Sequence, residues 1–374
     1  MNKKHQLIYS ILRPFIAVYL FIKFRYRKEM AADLPENYIV VANHLTNWDS
    51  LFVATAFKKQ MYFVASEHLA RLWFFKIVDS LLHPIIRRKG TKAVSTVKEV
   101  IKICRKGGNV AIFAEGDRAW DGITCPIMPA TGKMIKSAKC GLVTYRIEGA
   151  YFLNPRWSLS VRKGFVTGKM GKVYTKEEVA AMSPEEINEV LFRDLYEDAY
   201  IAQEKNPQKY VGPKMAEGLE NLLFYCPECG KMDTFLSHED TVTCENCGHF
   251  FKYTQYGMLE GGKFSTIRDF SLWQKKKVVS DAESGAAYTA RTADLILIGQ
   301  NHSETQVAQG PVYMDREKLV CGDAEFLMED IEELAIHSRN CIVFTVDKKY
   351  YEMRAPERVN VFKLTHLYNA YKGK

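Results

Sequence analysis

The stretch that decides the fold is residues 38–50, YIVVANHLTNWDS, where five apolar residues lead into Asn43 and His44 and an aspartate, Asp49, follows five positions later. An unbroken apolar run of strand length, Tyr38 to Ala42, marks a strand covered on both faces, because a half-exposed strand alternates. A helix is expected from Ser50 to Phe57, so His44 leaves the end of the strand and Asp49 stands where the helix begins. The loop between them can fold the carboxylate onto the imidazole. That contact fixes the tautomer and raises the basicity of the other ring nitrogen, the requirement for a general base acting on a hydroxyl.

Outward from this stretch, strands and helices alternate. Met61 to Ala65 reads as a strand and Ser66 to Ser80 as a helix, followed by HPIIRR at residues 83–88. Apolar positions from Lys92 to Lys106 follow helical spacing until Gly107 and Gly108 end it. NVAIFAEGDR (109–118) reads as a strand and loop, and GLVTYRIEG (141–149) as a further strand. SPEEINEVLFRDLYEDAYIAQ (183–203) reads as one amphipathic helix with Ser183 and Glu186 in capping-box register. The alternation predicts an α/β domain whose strand ends face one crevice. HPIIRR and IFAEGDR bring further charge to that same side of the sheet.

These residues carry a specific resemblance. NHLTNWD (43–49) resembles the histidine, four residues, aspartate motif of the glycerolipid acyltransferases, the family of 1-acylglycerol-3-phosphate acyltransferases. FAEGDR (113–118) is similar to that family's phenylalanine-proline-glutamate-glycine-threonine-arginine block, and IIRRKGTKA (85–93) to its arginine-bearing block; the similarity covers roughly residues 10–205. It implies direct acyl transfer from a thioester, of coenzyme A or acyl carrier protein, to the hydroxyl of a lysophospholipid such as 1-acylglycerol-3-phosphate, without an organic cofactor. His44 and Asp49 become the catalytic pair, and Asn43, Arg87, Arg88, Glu115, Gly116 and Arg118 the substrate-binding set. Arg87 and Arg88 are adjacent, and either can be the phosphate-gripping arginine of its block. Three departures bear on the acceptor: Ala114 replaces the family's proline, Asp117 its threonine, and GLVTYRIEG lacks the prolines of its last block. A different alcohol or lysolipid acceptor, or a degenerate protein that only binds lipid, are the alternatives. Cys104, Cys125 and Cys140 have no histidine nearby in sequence and read as packing residues.

At 374 residues and 47% hydrophobic, the chain is long enough for two or three cores. Its net charge of +8 is too mild for a dedicated nucleic-acid binder, and the excess is concentrated at one end: residues 1–30 contain seven basic residues against Glu29 alone. There QLIYSILRPFIAVYLFIKFRYRK (6–28) mixes rings and cations, with an unbroken apolar run only from Phe15 to Ile22. That run is too short to span a bilayer, and it is followed by aromatic and basic residues instead of a cleavage site. A peripheral or monotopic segment on the cytoplasmic face of a membrane is expected, with anionic lipid as partner.

Cys226, Cys229, Cys244 and Cys247 form CPEC and CENC, separated by 14 residues, each followed by a glycine. Two such pairs read as one structural zinc, four thiolates closing the tetrahedron, with two disulfides as the competing arrangement. The ribbon loop GKMDTFLSHEDTVT (230–243) has one lysine against Asp233, Glu239 and Asp240, which argues against nucleic acid. Beyond it, strand-length runs DLILIG, PVYMD, KLVCG, EFLMEDIEELAI, CIVFTVD and KYYEMR precede the helical NVFKLTHLYNAY (360–371). An antiparallel β-sandwich or partly open barrel capped by that helix is expected, resembling a pleckstrin-homology module. The expected division is 1–30 membrane-associating, 31–215 acyltransferase-like, 222–252 zinc ribbon and 253–374 β domain.

Overall fold

The computed structural model describes residues 3–67, 71, 73, 75–87, 94–299, 302–355 and 359–373. The chain forms two compact units, one built from Met1–Arg87, Ala93–Arg156 and Val161–Gly212, the other including Trp157–Ser160 and Pro213–Lys374.

Seven strands form the sheet of the first unit: β1 (Arg27–Lys28), β2 (Tyr38–Ala42), β3 (Met61–Ser66), β4 (Ile85–Arg87), β5 (Asn109–Phe113), β6 (Gly141–Glu148) and β7 (Thr167–Tyr174), in the order β1-β7-β6-β2-β5-β3-β4. Only β6 and β7 pair antiparallel. Central β2 pairs with β5 and β6, and all five of its residues are buried, which is why its sequence is apolar throughout. Burial of Ile39, Val40 and Val41 is worth about 1.5–3 kcal/mol each. Because β2, β5, β3 and β4 run parallel, their C-terminal ends at Ala42, Phe113, Ser66 and Arg87 lie at one edge of the sheet.

Among the described residues, the helices of this unit are α1 (Lys3–Phe24), α2 (Asp49–Ala56), α3 (Phe75–Leu82), α4 (Val94–Arg105), α5 (Ala130–Ala138), α6 (Ala150–Leu153), α7 (Lys176–Ala181), α8 (Pro184–Leu195) and α9 (Ala199–Lys205). Three differ from the sequence expectation. Ser66, expected to open a helix running to Ser80, ends β3, and α3 covers Phe75–Leu82, with 68–70, 72 and 74 of the expected helix outside the described residues. The capping box of Ser183 and Glu186 forms, but the helix it opens ends at Leu195, and Asp198 starts a new one by accepting hydrogen bonds from the N–H groups of Tyr200 and Ile201. Helix α1 runs through Pro14 for 22 residues, so it is long and apolar enough by length and composition to cross a membrane, contrary to the expectation from its shorter unbroken run. A helix of that length reaches roughly 33 Å. Tyr9, Leu20 and Phe24 face inward, while Leu7, Ile11, Phe15, Val18 and Ile22 are exposed along the opposite side. Tyr9 Oη donates to the Ala54 carbonyl of α2 at 2.6 Å, and Phe24 packs edge-on against Trp48 at 5.3 Å between centroids.

In the second unit, β8 (Phe235–His238), β9 (Thr241–Cys244), β10 (Phe250–Tyr253) and β11 (Leu259–Glu260) form a small antiparallel sheet. Helix α10 (Ile267–Glu283), absent from the sequence reading, leads to β12 (Tyr288–Ile298), β13 (Glu304–Met314), β14 (Lys318–Cys321), β15 (Ala324–Leu327), β16 (Leu334–Ser338), β17 (Cys341–Val346) and β18 (Lys349–Arg354), then α11 (Val361–Tyr371). These seven strands make one antiparallel sheet ordered β15-β14-β13-β12-β18-β17-β16. The expected run 325–336 is broken by a turn at Met328–Asp330, and its halves become the two edge strands. Lys363 of α11 is fully buried, ion-paired to Asp233 and 3.6 Å from the centroid of the Tyr288 ring.

Candidate active site

The loop between β2 and α2 folds around one carboxylate. Asp49 is fully buried in the first turn of α2, where the helix dipole favours negative charge. Its Oδ2 accepts from the backbone N–H of Leu45 at 2.6 Å and of Thr46 at 2.8 Å, and from His44 Nδ1 at 2.8 Å. Its Oδ1 accepts from Thr46 Oγ1 at 2.7 Å. With the proton of neutral His44 held on Nδ1 by this carboxylate, the basic lone pair belongs to Nε2. The imidazole is 28% exposed and stacks on Phe113 with 4.4 Å between ring centroids. The histidine thus combines a fixed ring plane, an assigned tautomer and access to the surface.

The loop after β5 braces the same segment. Glu115, expected at the substrate, is buried, and its two oxygens accept from the backbone N–H groups of His44 and Cys125, each at 2.7 Å. Ala119 N–H donates to the His44 carbonyl at 3.0 Å. Gly116 has a left-handed backbone, φ +73°, which favours glycine, and a Cβ there would also press on the Met128 side chain, its sulfur 3.0 Å away. The side chain of Asp117 pairs with the buried guanidinium of Arg156 and also accepts from the Arg118 N–H at 3.0 Å. Arg156 in turn lies 5.0 Å from the Trp120 ring centroid. Arg118 is half-buried beside this pair, and Arg87 is half-buried at the end of β4; Arg88 lies outside the described residues.

Asn43, also expected at the substrate, is fully buried and exchanges both amide atoms with Ile147 of β6: Nδ2 donates to its carbonyl at 2.8 Å and Oδ1 accepts its N–H at 2.7 Å. The same Nδ2 donates to Glu197 at 3.0 Å. Asn43 therefore supports the site from behind. Phe113, Thr46 and Glu197 lie in stretches quoted from the sequence but were not expected among the site residues. Thr46 stands inside the His44 motif at a spacing suited to meet Asp49, whereas Glu197 gave no local signal because the helix appeared continuous through it.

The four cysteines Cys226, Cys229, Cys244 and Cys247 bring their sulfurs within 4.8 Å of one another. Cys226 and Cys247 sulfurs are 3.7 Å apart and those of Cys229 and Cys244 3.8 Å. Those lengths exceed a disulfide bond and agree with the roughly 3.8 Å edge of a tetrahedron of thiolates about a metal at 2.3 Å. Each pair makes the same knuckle, Gly230 N–H donating to the Cys226 carbonyl and Gly248 N–H to that of Cys244, with left-handed φ at both glycines.

Burial pushes the carboxyls of Glu115 and Glu197 up to about 8, against the opposing pull of the N–H groups on them. Each therefore holds its proton more tightly in the folded than in the unfolded chain. The associated stability is present below the unfolded value of 4.5 and is lost as pH rises through about 8. The melting temperature of the first unit is expected to fall between pH 6 and pH 9, and Glu115→Gln is expected to reduce that fall. Calorimetry giving the variant an unchanged pH slope would exclude Glu115 as its source.

A family model described as Acyltransferase matches residues 23–148. Among solved structures, the chain is similar to the 1-acyl-sn-glycerophosphate (LPA) acyltransferase PlsC from Thermotoga maritima, with 19% identity over 54% of this chain and 81% of that one, at a TM-score of 0.45. It is also similar to the N-terminal PH domain of human ARAP2, with 12% identity over 24% of this chain and 83% of that one, at a TM-score of 0.19. The span 23–148 contains His44, Asp49, Arg87, Glu115 and Arg118, so the site described above lies within the part of the chain that matches the acyltransferase family.

Proposed function

We propose that this acyltransferase moves a fatty acyl group from a thioester donor to the hydroxyl of a lysophospholipid, 1-acylglycerol-3-phosphate in the first instance, giving phosphatidic acid. The observation that carries the reading is the His44–Asp49 bond, made by a fully buried carboxylate to an accessible ring. His44 Nε2 takes the hydroxyl proton as the acceptor oxygen bonds to the thioester carbonyl carbon. Asp49 stabilises the imidazolium. The tetrahedral intermediate then collapses, the C–S bond breaks, and the departing thiolate receives the proton from His44. Its oxyanion is assigned to the N–H of Gly116 and to neighbouring amides of the loop after β5. No acyl-enzyme forms.

Arg118 and the arginine of the Arg87–Arg88 pair are assigned to the acceptor phosphate, which a guanidinium can grip through two bonds. A second reading, a different lysolipid or alcohol, is favoured by Asp117: a carboxylate stands beside Arg118 where the resembling family has a threonine. Helix α1, apolar on its exposed side and followed by the exposed cations Arg25 and Arg27, fits a membrane surface, assigned here to the cytoplasmic face. The four-thiolate site is assigned one zinc with a structural role.

Incubating the full chain with a labelled thioester and a panel of lysophospholipids and other alcohols, followed by mass spectrometry of the product, tests the donor and acceptor together. In the same assay, His44→Ala is expected to lower turnover by about 10²–10⁴-fold, with Asp49→Asn losing much of that activity too. A His44→Ala protein that keeps most of its turnover refutes the mechanism. Arg118→Ala is expected to raise the acceptor KM by roughly 10–100-fold while leaving the thioester KM near its original value; equal effects on both substrates would make the arginine structural. Elemental analysis should find one zinc per chain, and chelation should expose the ribbon to protease while the His44-dependent chemical step persists. A zinc-free protein, or a chelated one with an unchanged digestion pattern, refutes that assignment.

A further inference from the structure

The hydrogen bonds behind His44 form a closed circuit. From His44 N–H it runs to Glu115, from Glu115 to the Cys125 N–H, through the Thr124–Cys125 peptide, from Thr124 to Glu197, and from Glu197 through Asn43 back to His44. The Thr124 end is double: its N–H donates to the Glu197 carbonyl at 3.0 Å, and the Glu197 N–H donates to Thr124 Oγ1 at 2.8 Å. We propose that Glu197 is a positioning residue for this site, its buried carboxyl group closing the circuit that fixes the Asn43–His44 peptide.

The need for such a group follows from the register of the sheet. Backbone pairing between β2 and β6 stops at Ala42 and Tyr145. At the next position, the side chain of Asn43 takes over, making both an N–H and a C=O partner for Ile147. That substitution releases the Asn43 backbone to turn toward the site, but it leaves one Nδ2 hydrogen inside the protein, where an unmatched donor is costly. Glu197 Oε2 accepts it, and Oε1 accepts the Gly149 N–H at 3.2 Å. Glu197 reaches this place only because the chain breaks between α8 and α9, with Asp198 capping the second helix. Both neighbours of the Glu197 side chain are donors. Ionised or protonated, each of its carboxyl oxygens keeps a lone pair for one of them, whereas a glutamine would present its NH₂ to one of them whichever way it turned, and Asn43 cannot reverse its amide without losing Ile147.

The inference rests on the acyl-transfer reading for its kinetic arm only. In the full chain, Glu197→Gln and Thr124→Val are each expected to lower kcat by about 10–100-fold, the loss that a small displacement of a reacting group produces, with the thioester KM unchanged. Thr124→Ser, which retains the hydroxyl, is expected to keep wild-type kcat. Independently of turnover, NMR titration of the His44 ring is expected to shift to lower pH in Glu197→Gln, because a loosened Asp49 contact stabilises the imidazolium less. Melting temperatures are measured on every variant. An unshifted His44 titration, with kcat unchanged or reduced only in proportion to the folded fraction, overturns the proposal. If the wild-type protein transfers no acyl group from any thioester tested, the acyl-transfer reading fails, and the titration still decides the role of Glu197.

Discussion

The constraint on which the site depends is the burial of the Asp49 carboxylate. A fully buried anion is tolerated only if its lone pairs are met, and Asp49 meets them with two backbone N–H groups, a hydroxyl and an imidazole from the five residues before it. The loop has no freedom left to choose another shape. His44 is consequently oriented by the same bonds that make the aspartate affordable, and orientation and basicity come from one local arrangement. The parallel strands around it complete the setting by sending the β5 loop and Arg87 to the same edge.

The supports are graded with distance from the ring. Phe113 fixes its plane by stacking, Glu115 and Ala119 hold the peptide on either side of the Cα, and Asn43 ties the preceding residue to β6. On the outer side of the loop, Lys23 of α1 lies 4.1 Å from the Trp48 ring centroid, and Trp48 directly precedes Asp49. The exposed helix and the buried carboxylate are thus one residue apart through a cation–π contact.

Much of this was legible before the structure. The apolar run 38–42 could only be a doubly covered strand, and the His44–Asp49 spacing, the glycine after the β5 loop's glutamate and the two cysteine knuckles each have a local physical requirement behind them. What escaped the sequence was not local. The role of Glu115 as a brace depends on Cys125, ten residues on, and that of Glu197 on a break that amphipathic spacing conceals, because the apolar period continues across Tyr196–Asp198. At the N-terminus the apolar run counted from Phe15 understated the helix, because Pro14 just before it does not end the helix. A proline ordinarily interrupts a helix, yet α1 passes through it while Tyr9, Leu20 and Phe24 remain packed on one side. The two halves of the 325–336 run could not be told apart from a single strand, since only pairing partners distinguish opposite sheet edges.

The pairing of Lys363 with Asp233 bears on how the second unit can be dissected. The ribbon's own sheet continues beyond residue 252, since β10 pairs with β11 at Leu259–Glu260, and the buried ammonium on α11 is met by a carboxylate from the ribbon. A polypeptide severed between residues 252 and 253 would strip a strand from one piece and leave the other with an uncompensated cation in its interior. The cysteine module and the β domain thus share a strand pair and a buried ion pair, and a cut at that boundary disturbs both.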